Sequence, residues 1–198
     1  MSEDEHSVRL RADAARNTEQ IRTAAIDAFR QRGLGVPLKE IATAASVSKA
    51  TIYNRFEGRD GLVDAVIDEL IAPEFFGAIS RARGCADPWA GICSYVRDHR
   101  DLQYREPVFL DIILADYPNS PRFTAMCDAA MDIAKTLVAE GHRAGVVRGD
   151  FTVEDFHYAT VSNALMLRHW PTQARDDYDR RTRFFLESLR TVVEDGEN

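Results

Sequence analysis

Apolar residues recur along this chain at spacings of three and four, the period of a helix with one buried face. Ile21, Ala24, Ala25, Ala28 and Phe29 form one such stripe, ended by Gly33 and Gly35. Leu38, Ile41, Ala42 and Ala45 form a second, with Pro37 suited to its first turn. A third, short helix runs from Lys49 to about Arg55 behind Ser48, a favourable N-cap. A fourth opens at Asp60, after Gly58, and passes through Leu62, Val63, Val66, Ile67 and Leu70 until Pro73 interrupts or kinks it. Asp87-Pro88, Ser120-Pro121 and the pair Thr152 and Asp155 are further helix starts. They predict helices through Trp89, Ile92, Tyr95 and Val96, from Ser120-Pro121 to about Ala144, and from Thr152 to about His169. Residues 106–115 are strongly apolar, Tyr117-Pro118-Asn119 reads as a loop, and a last helix covers about Asp176 to Val193. No stretch alternates with the period of a strand, so the predicted fold is all-α. Asn17 or Thr18 caps the first helix, which leaves 1–16 as a flexible, solvated N-terminal arm.

Composition sharpens this picture through its unevenness. The 198 residues carry a net charge of -7. Residues 6–59, however, hold 10 basic and 5 acidic side chains, whereas 60–198 hold 15 basic and 24 acidic. A basic block joined to an acidic remainder implies that the first part alone meets a polyanion. No apolar run approaches the length of a membrane span, and the acidic start MSEDEHSVRL is no secretory signal, so a cytoplasmic protein is expected. Cys85, Cys93 and Cys127 are odd in number and form no C-x-x-C pair, which argues against a disulfide framework or a structural zinc.

The predicted helices 38–45 and 49–55 are separated by about three residues, the spacing of a helix-turn-helix. Ile52 and Phe56 lie one turn apart and face inward, with Val47 packing ahead of them. Lys49, Ala50, Tyr53 and Asn54 then occupy the outer face. Small residues there let the helix backbone enter a major groove, and Lys49, Asn54 and Arg55 offer donors to base edges. Thr51 and Tyr53 offer hydroxyls to phosphate oxygens.

The run Leu38-Lys39-Glu40-Ile41-Ala42, then Ala45-Ser46-Val47-Ser48-Lys49-Ala50-Thr51-Ile52-Tyr53-Asn54-Arg55-Phe56, then Arg59-Asp60-Gly61-Leu62 resembles the TetR (tetracycline-repressor-like) family over roughly residues 17–65. Ile21, Ala25, Phe29 and Gly33 are similar to that family's first helix. The resemblance implies a DNA-binding domain over 17–60 and a helical regulatory and dimerisation domain over 61–198. It implies phosphate contacts from Lys39, Ser48, Thr51, Tyr53 and Arg59, and base contacts from Lys49, Ala50, Asn54 and Arg55. Three positions depart from the family pattern: Ser46 replaces a turn glycine, Pro37 replaces Thr or Ser, and Arg59 replaces Lys. The implied function is a DNA-binding transcriptional regulator, acting as a repressor, released from a palindromic double-stranded operator by a small-molecule effector.

In the acidic part, aromatic and polar residues scattered among apolar helices are candidate pocket residues. They are Trp89, Tyr95, His99, Phe109, Tyr117, Phe123, Met126, Met131, His157, Asn163, Met166 and Trp170. The family resemblance implies a homodimer through the last two helices, for which Phe156, Thr160, Asn163, Leu167, Phe184, Phe185 and Leu189 are candidates. The alternative is a redox-responsive regulator sensing through Cys85 or Cys93. Asp98, His99 and Asp101, or Asp155 and His157, fall into no catalytic motif, so no enzyme activity, cofactor or metal is expected.

Overall fold

The computed structural model describes residues 3–114 and 120–191, with side chains described from Asp13 onward. Tyr117 and its loop, and Val193, lie outside the described residues. The chain divides into two compact units, residues 1–70 with 117–123, and residues 71–116 with 124–198. The division therefore falls after Leu70, beyond the 60/61 boundary expected from sequence. Among the described residues the secondary structure is helical apart from one isolated bridge, Val147 to Arg190, as the periodicity predicted.

The first unit holds α1 (Glu3–Arg32), α2 (Leu38–Ala44), α3 (Lys49–Phe56) and α4 (Arg59–Val66). Helix α1 begins far ahead of the expected cap. Thr18 does not cap it, because its hydroxyl donates back to the Ala14 carbonyl at 2.9 Å, inside a continuing helix. An i,i+3 ion pair between Arg16 and Asp13, at 2.6 Å, sits on the same stretch, so the segment read as an arm is helical. Helices α1 and α4 pack together, α2 packs on α1, and α3 packs on both α2 and α4. Ile21, Ala25, Phe29, Leu34, Val36, Ile41, Ile52, Leu62, Val63 and Val66 are buried there. Ser120 belongs to this unit too: its Oγ accepts from the Phe123 amide at 3.0 Å and its hydroxyl bonds the Asp64 carboxylate. Arg122 pairs with Asp68 at 2.9 Å.

A π turn, Ile67–Ile71, follows α4. Pro73 has no N–H to give and its ring crowds the carbonyl of the preceding turn. The widened turn accommodates it, so the chain resumes as α5 (Ala72–Arg83).

The second unit continues with α6 (Pro88–Arg105), α7 (Pro107–Leu114), α8 (Pro121–Arg143, from Thr124), α9 (Val153–His169) and α10 (Arg175–Leu189). Asp87 caps α6 by accepting from the Ala90 amide at 2.9 Å. Thr152 and Asp155 form the reciprocal box that opens α9. Helix α10 ends before Val193 because Arg190 turns extended and bridges to Val147, with the Arg148 amide donating to the Leu189 carbonyl at 2.9 Å. Helix α6 is central, touching α5, α7, α9 and α10.

Its buried side includes a polar group. Asn163 Nδ2 donates to the Tyr178 hydroxyl at 2.9 Å and also to Gln103 Oε1; Gln103 Nε2 donates to the Thr160 carbonyl at 3.1 Å. The Tyr178 hydroxyl donates to the Arg100 carbonyl at 2.8 Å. One chain of hydrogen bonds thus ties α6, α9 and α10 into register.

His99, on α6, lies among Phe75, Tyr95 and Phe109, with ring centroids 5.3–6.1 Å away. Burial, with Arg100 adding to it, lowers its pKa from 6.5 to about 4, so it is neutral in the fold. The unfolded chain takes up a proton near pH 6.5 that the folded chain refuses until about pH 4. Stability present above pH 6.5 is therefore lost as pH falls through that window. We expect this one group to account for up to roughly 3 kcal/mol of the loss. Urea unfolding at pH 7 and pH 4.5 checks it: the His99→Gln chain should show a correspondingly shallower pH dependence.

Candidate nucleic-acid interface

The turn between α2 and α3 sets the recognition face. The Val47 amide bonds the Ala42 carbonyl at 2.9 Å and the Ser46 amide bonds the Thr43 carbonyl at 3.1 Å. This nested pair is a Schellman cap, with Ser46 at the left-handed position, φ 55. Ser46, standing where the family pattern has a turn glycine, thus adopts a left-handed conformation that costs a residue with a side chain about 1 kcal/mol. Pro37 stands just ahead of α2, at φ -62 and ψ 138, with no side-chain cap; its carbonyl accepts from the Glu40 amide at 3.0 Å.

Helix α3 starts on Ser48, whose Oγ accepts from the Thr51 amide at 3.1 Å and lies 2.8 Å from the Thr51 hydroxyl. Ile52 and Phe56 are buried and Val47 half-buried. Helix α4 approaches the end of α3 so closely that a Cβ on Gly61 would lie 1.8 Å from the Phe56 carbonyl oxygen. Only glycine permits that contact, a constraint the spacing of apolar residues did not disclose. The chain turns between them through Glu57 at φ 58 and Gly58 at φ 104.

What remains outside is Lys49, Ala50, Tyr53, Asn54 and Arg55, all exposed, with Tyr53 49% accessible. Lys49 Nζ lies 5.5 Å from the Tyr53 ring centroid, so the two side chains share one ridge. Ser48 and Lys39 are exposed at its flank and Thr51 is half-buried. Of these residues, Lys49 and Tyr53 are in contact, and the others are placed by their exposure alone.

Arg59 is placed differently from expectation. Its Nη1 donates to the Val36 carbonyl at 2.7 Å, its guanidinium lies 5.9 Å from the Phe29 ring centroid, and its Nη2 is buried without a partner. It braces the loop after α1 against α4 rather than reaching outward for a phosphate.

The pocket candidates scatter more. Tyr95, His99 and Phe109 do come together, and Tyr95 also meets Phe156 at 5.9 Å. A cavity of about 10 Å³ beside His99 and Phe156 holds one water at most, so a ligand at this cluster requires side chains to move. Met126 and Asn163 are buried; the Asn163 Nδ2 is taken by the polar network, while its Oδ1 has no partner among the described residues. Met166 packs at the edge of the Leu110, Ala164, Leu167 and Tyr178 cluster. Trp89 and Met131 are half-buried, Trp89 beneath Arg190 at 4.7 Å, and Phe123 is half-buried in the first unit. His157 and Trp170 are exposed, so they line no interior. Of the interface candidates, Phe156, Asn163, Leu167 and Leu189 are buried within their own chain, Thr160 and Phe185 are half-buried, and Phe184 is exposed. Helical periodicity alone could not tell the two apolar faces of α9 apart. Tyr158 and Leu165, which the sequence reading missed, lie on its exposed side.

The thiols offer little to the redox alternative. Burial pushes the Cys93 thiol up against the opposing pull of Arg97 and Arg190, which suppresses the reactive thiolate. Cys85 Sγ contacts the Arg81 carbonyl at 3.4 Å.

The position of Arg59 separates two kinds of basic residue. Arg59→Met should lower the unfolding free energy of the DNA-free protein by about 1–3 kcal/mol, because it strips the Val36 carbonyl of its donor. Lys39→Ala, at an exposed site, should change it by less than about 0.5 kcal/mol. Denaturant unfolding of the two variants checks the contrast.

Residues 21–66 match the family model described as bacterial regulatory proteins, tetR family. The regulatory protein RaaS of Mycobacterium tuberculosis is 28% identical over 129 residues, covering 65% of this chain and 58% of that protein's length. Solved structures share the fold. KstR2, a ketosteroid transcriptional regulator of Mycobacterium tuberculosis, aligns with a TM-score of 0.68 at 15% identity, over 88% of this chain and 95% of that one. FadR from Bacillus subtilis, solved in complex with stearoyl-CoA, aligns with a TM-score of 0.68 at 14% identity, over 89% and 99%. Residues 21–66 thus carry the helix-turn-helix described for the tetR family of bacterial regulatory proteins, and the chain shares its helical fold with these solved regulators.

Proposed function

We propose that the protein is a homodimeric, sequence-specific transcriptional repressor that grips a pseudo-palindromic operator through α3 and lets go when its second unit takes up a small ligand. The outer face of α3 carries this reading. Its exposed residues are small, amide-bearing, hydroxylated or basic, and they stand opposite the buried Ile52 and Phe56. Lys49, Ala50, Asn54 and Arg55 meet bases; Lys39, Ser48, Thr51 and Tyr53 meet the backbone. Arg59 acts from behind, by holding α4.

An eight-residue recognition helix reads few base pairs, so specificity calls for two half-sites about 34–36 Å apart. Tyr158 and Leu165 on α9 and Phe184 on α10 are 67%, 45% and 58% accessible, an apolar surface that suits a second copy. This set replaces the buried candidates Phe156, Asn163, Leu167 and Leu189. The ligand-sensing part is supported by kinship with regulators such as FadR, whose structure holds stearoyl-CoA. A ligand acts only by favouring the DNA-incompetent state, and DNA must then weaken the ligand by the same factor.

Selection of bound sequences from a random DNA pool, followed by titration, tests the DNA reading. Lys49→Ala or Asn54→Ala should cost about 1–3 kcal/mol on the best site and relax preference at one or two positions. Lys39→Ala should weaken all sequences alike and flatten the salt dependence by about one unit. No enrichment of a half-site would refute the reading. For the dimer, Leu165→Glu with Phe184→Glu should convert the sedimenting species to a monomer and abolish tight operator binding while leaving the helical circular dichroism unchanged.

A further inference from the structure

The second unit derives from the acidic part of the chain, yet α6 and α10 bring arginines together at one cleft of about 410 Å³. Arg97, Arg100 and Arg183 line it. Three aspartates line it as well, but each is already held. Asp98 pairs with Arg81 at 2.7 Å, Asp101 with Arg105 at 2.7 Å and Arg175 at 2.6 Å, and Asp179 with Arg175 at 2.9 Å. Among the described residues no carboxylate pairs with Arg97, Arg100 or Arg183. The cleft therefore presents positive charge that its own acids do not cancel.

Arg100 is the deepest of the three. Its guanidinium is flanked by the rings of Tyr178 and Phe185, with centroids at 5.5 and 5.4 Å. Its Nε is buried and has no hydrogen-bond partner. A buried cation without a counter-charge is destabilising, and a donor left unsatisfied adds to that cost. The two rings hold the guanidinium in place, so the group is pre-organised rather than collapsed onto a neighbour. Arg97 and Arg183, with no ion pair among the described residues, line the same cleft.

We propose that the cleft between α6 and α10 binds a small organic oxyanion of metabolite size, its phosphoryl or carboxylate group held by Arg97, Arg100 and Arg183. The guanidinium fork matches both groups, and the volume falls within the range of small-ligand sites. The Tyr178 and Thr182 hydroxyls at the cleft already donate to backbone carbonyls, so the arginines supply the recognition. Arg100 also lines the small cavity beside His99, so the cleft adjoins the aromatic cluster there; the proposal stands whether or not the protein binds an operator.

Isothermal titration of the full chain at low ionic strength, without DNA, tests it with inorganic pyrophosphate and with citrate. One saturable site per chain is expected for at least one probe, weakened about tenfold or more in the Arg97→Gln/Arg183→Gln double variant. Neither side chain has an ion pair among the described residues, so the variant should unfold at the same urea concentration as the parent. Binding of pyrophosphate alone identifies the phosphoryl group as the ligand chemistry; binding of citrate alone identifies carboxylates. Absence of saturable binding for both probes overturns the proposal, as does equal affinity in the double variant. Because no DNA is present, either result leaves the operator reading to its own test.

Discussion

Burial of Ile52 and Phe56 decides what α3 offers to solvent. Each such side chain contributes about 1.5–3 kcal/mol when removed from water, far more than any preference of Lys49 or Asn54 for one orientation. Rotating α3 by a quarter turn would expose those two side chains and hide the basic ones. The recognition face is therefore the complement of a packing requirement. Gly61 is part of the same requirement, since only a hydrogen in that place lets the Phe56 carbonyl rest on α4. The guanidinium of Arg59 closes the other side by tying Val36 to α4. The exposed polar face of α3, proposed above to meet DNA, is thus held by contacts that never touch solvent.

The helices, and the exposed outer side of α3, were legible in sequence because each rests on a local rule. Caps at Ser48, Asp87 and Thr152 and the stop at Gly33 need no knowledge of tertiary structure. Arg59 was misread because its role depends on the Val36 carbonyl, which is left without a helical partner and attracts the nearest cation. Such a debt of hydrogen bonding is invisible until the loop is placed. The start of α1 failed for a related reason: Thr18 is an acceptable cap, but its hydroxyl equally well bonds the carbonyl one turn back, and that choice continues the helix.

The second unit was harder. Helices α9 and α10 each carry apolar residues on more than one side, and periodicity cannot rank two apolar faces. The polar network ranks them. Asn163 must lie where Gln103 and Tyr178 can reach it, which fixes the inward side of α9 and sends Tyr158 and Leu165 outward. Polar residues in this core act less as glue than as a key to rotation, because an unsatisfied amide is costlier than a shifted methyl group. His99, neutral among aromatic rings, adds a pH limit to the same core.

The left-handed Ser46 has a consequence for how this protein tolerates change. On the proposed function, altering the bases that α3 reads means altering α3 itself, and most substitutions there lose about 1 kcal/mol. A single exchange of Ser46 for glycine relieves strain of similar size without touching any residue on the outer face. The turn thus holds a reserve of mutational robustness beside the residues whose identity sets specificity. A lineage carrying this serine can acquire a new recognition helix and restore its lost stability one position ahead of Val47.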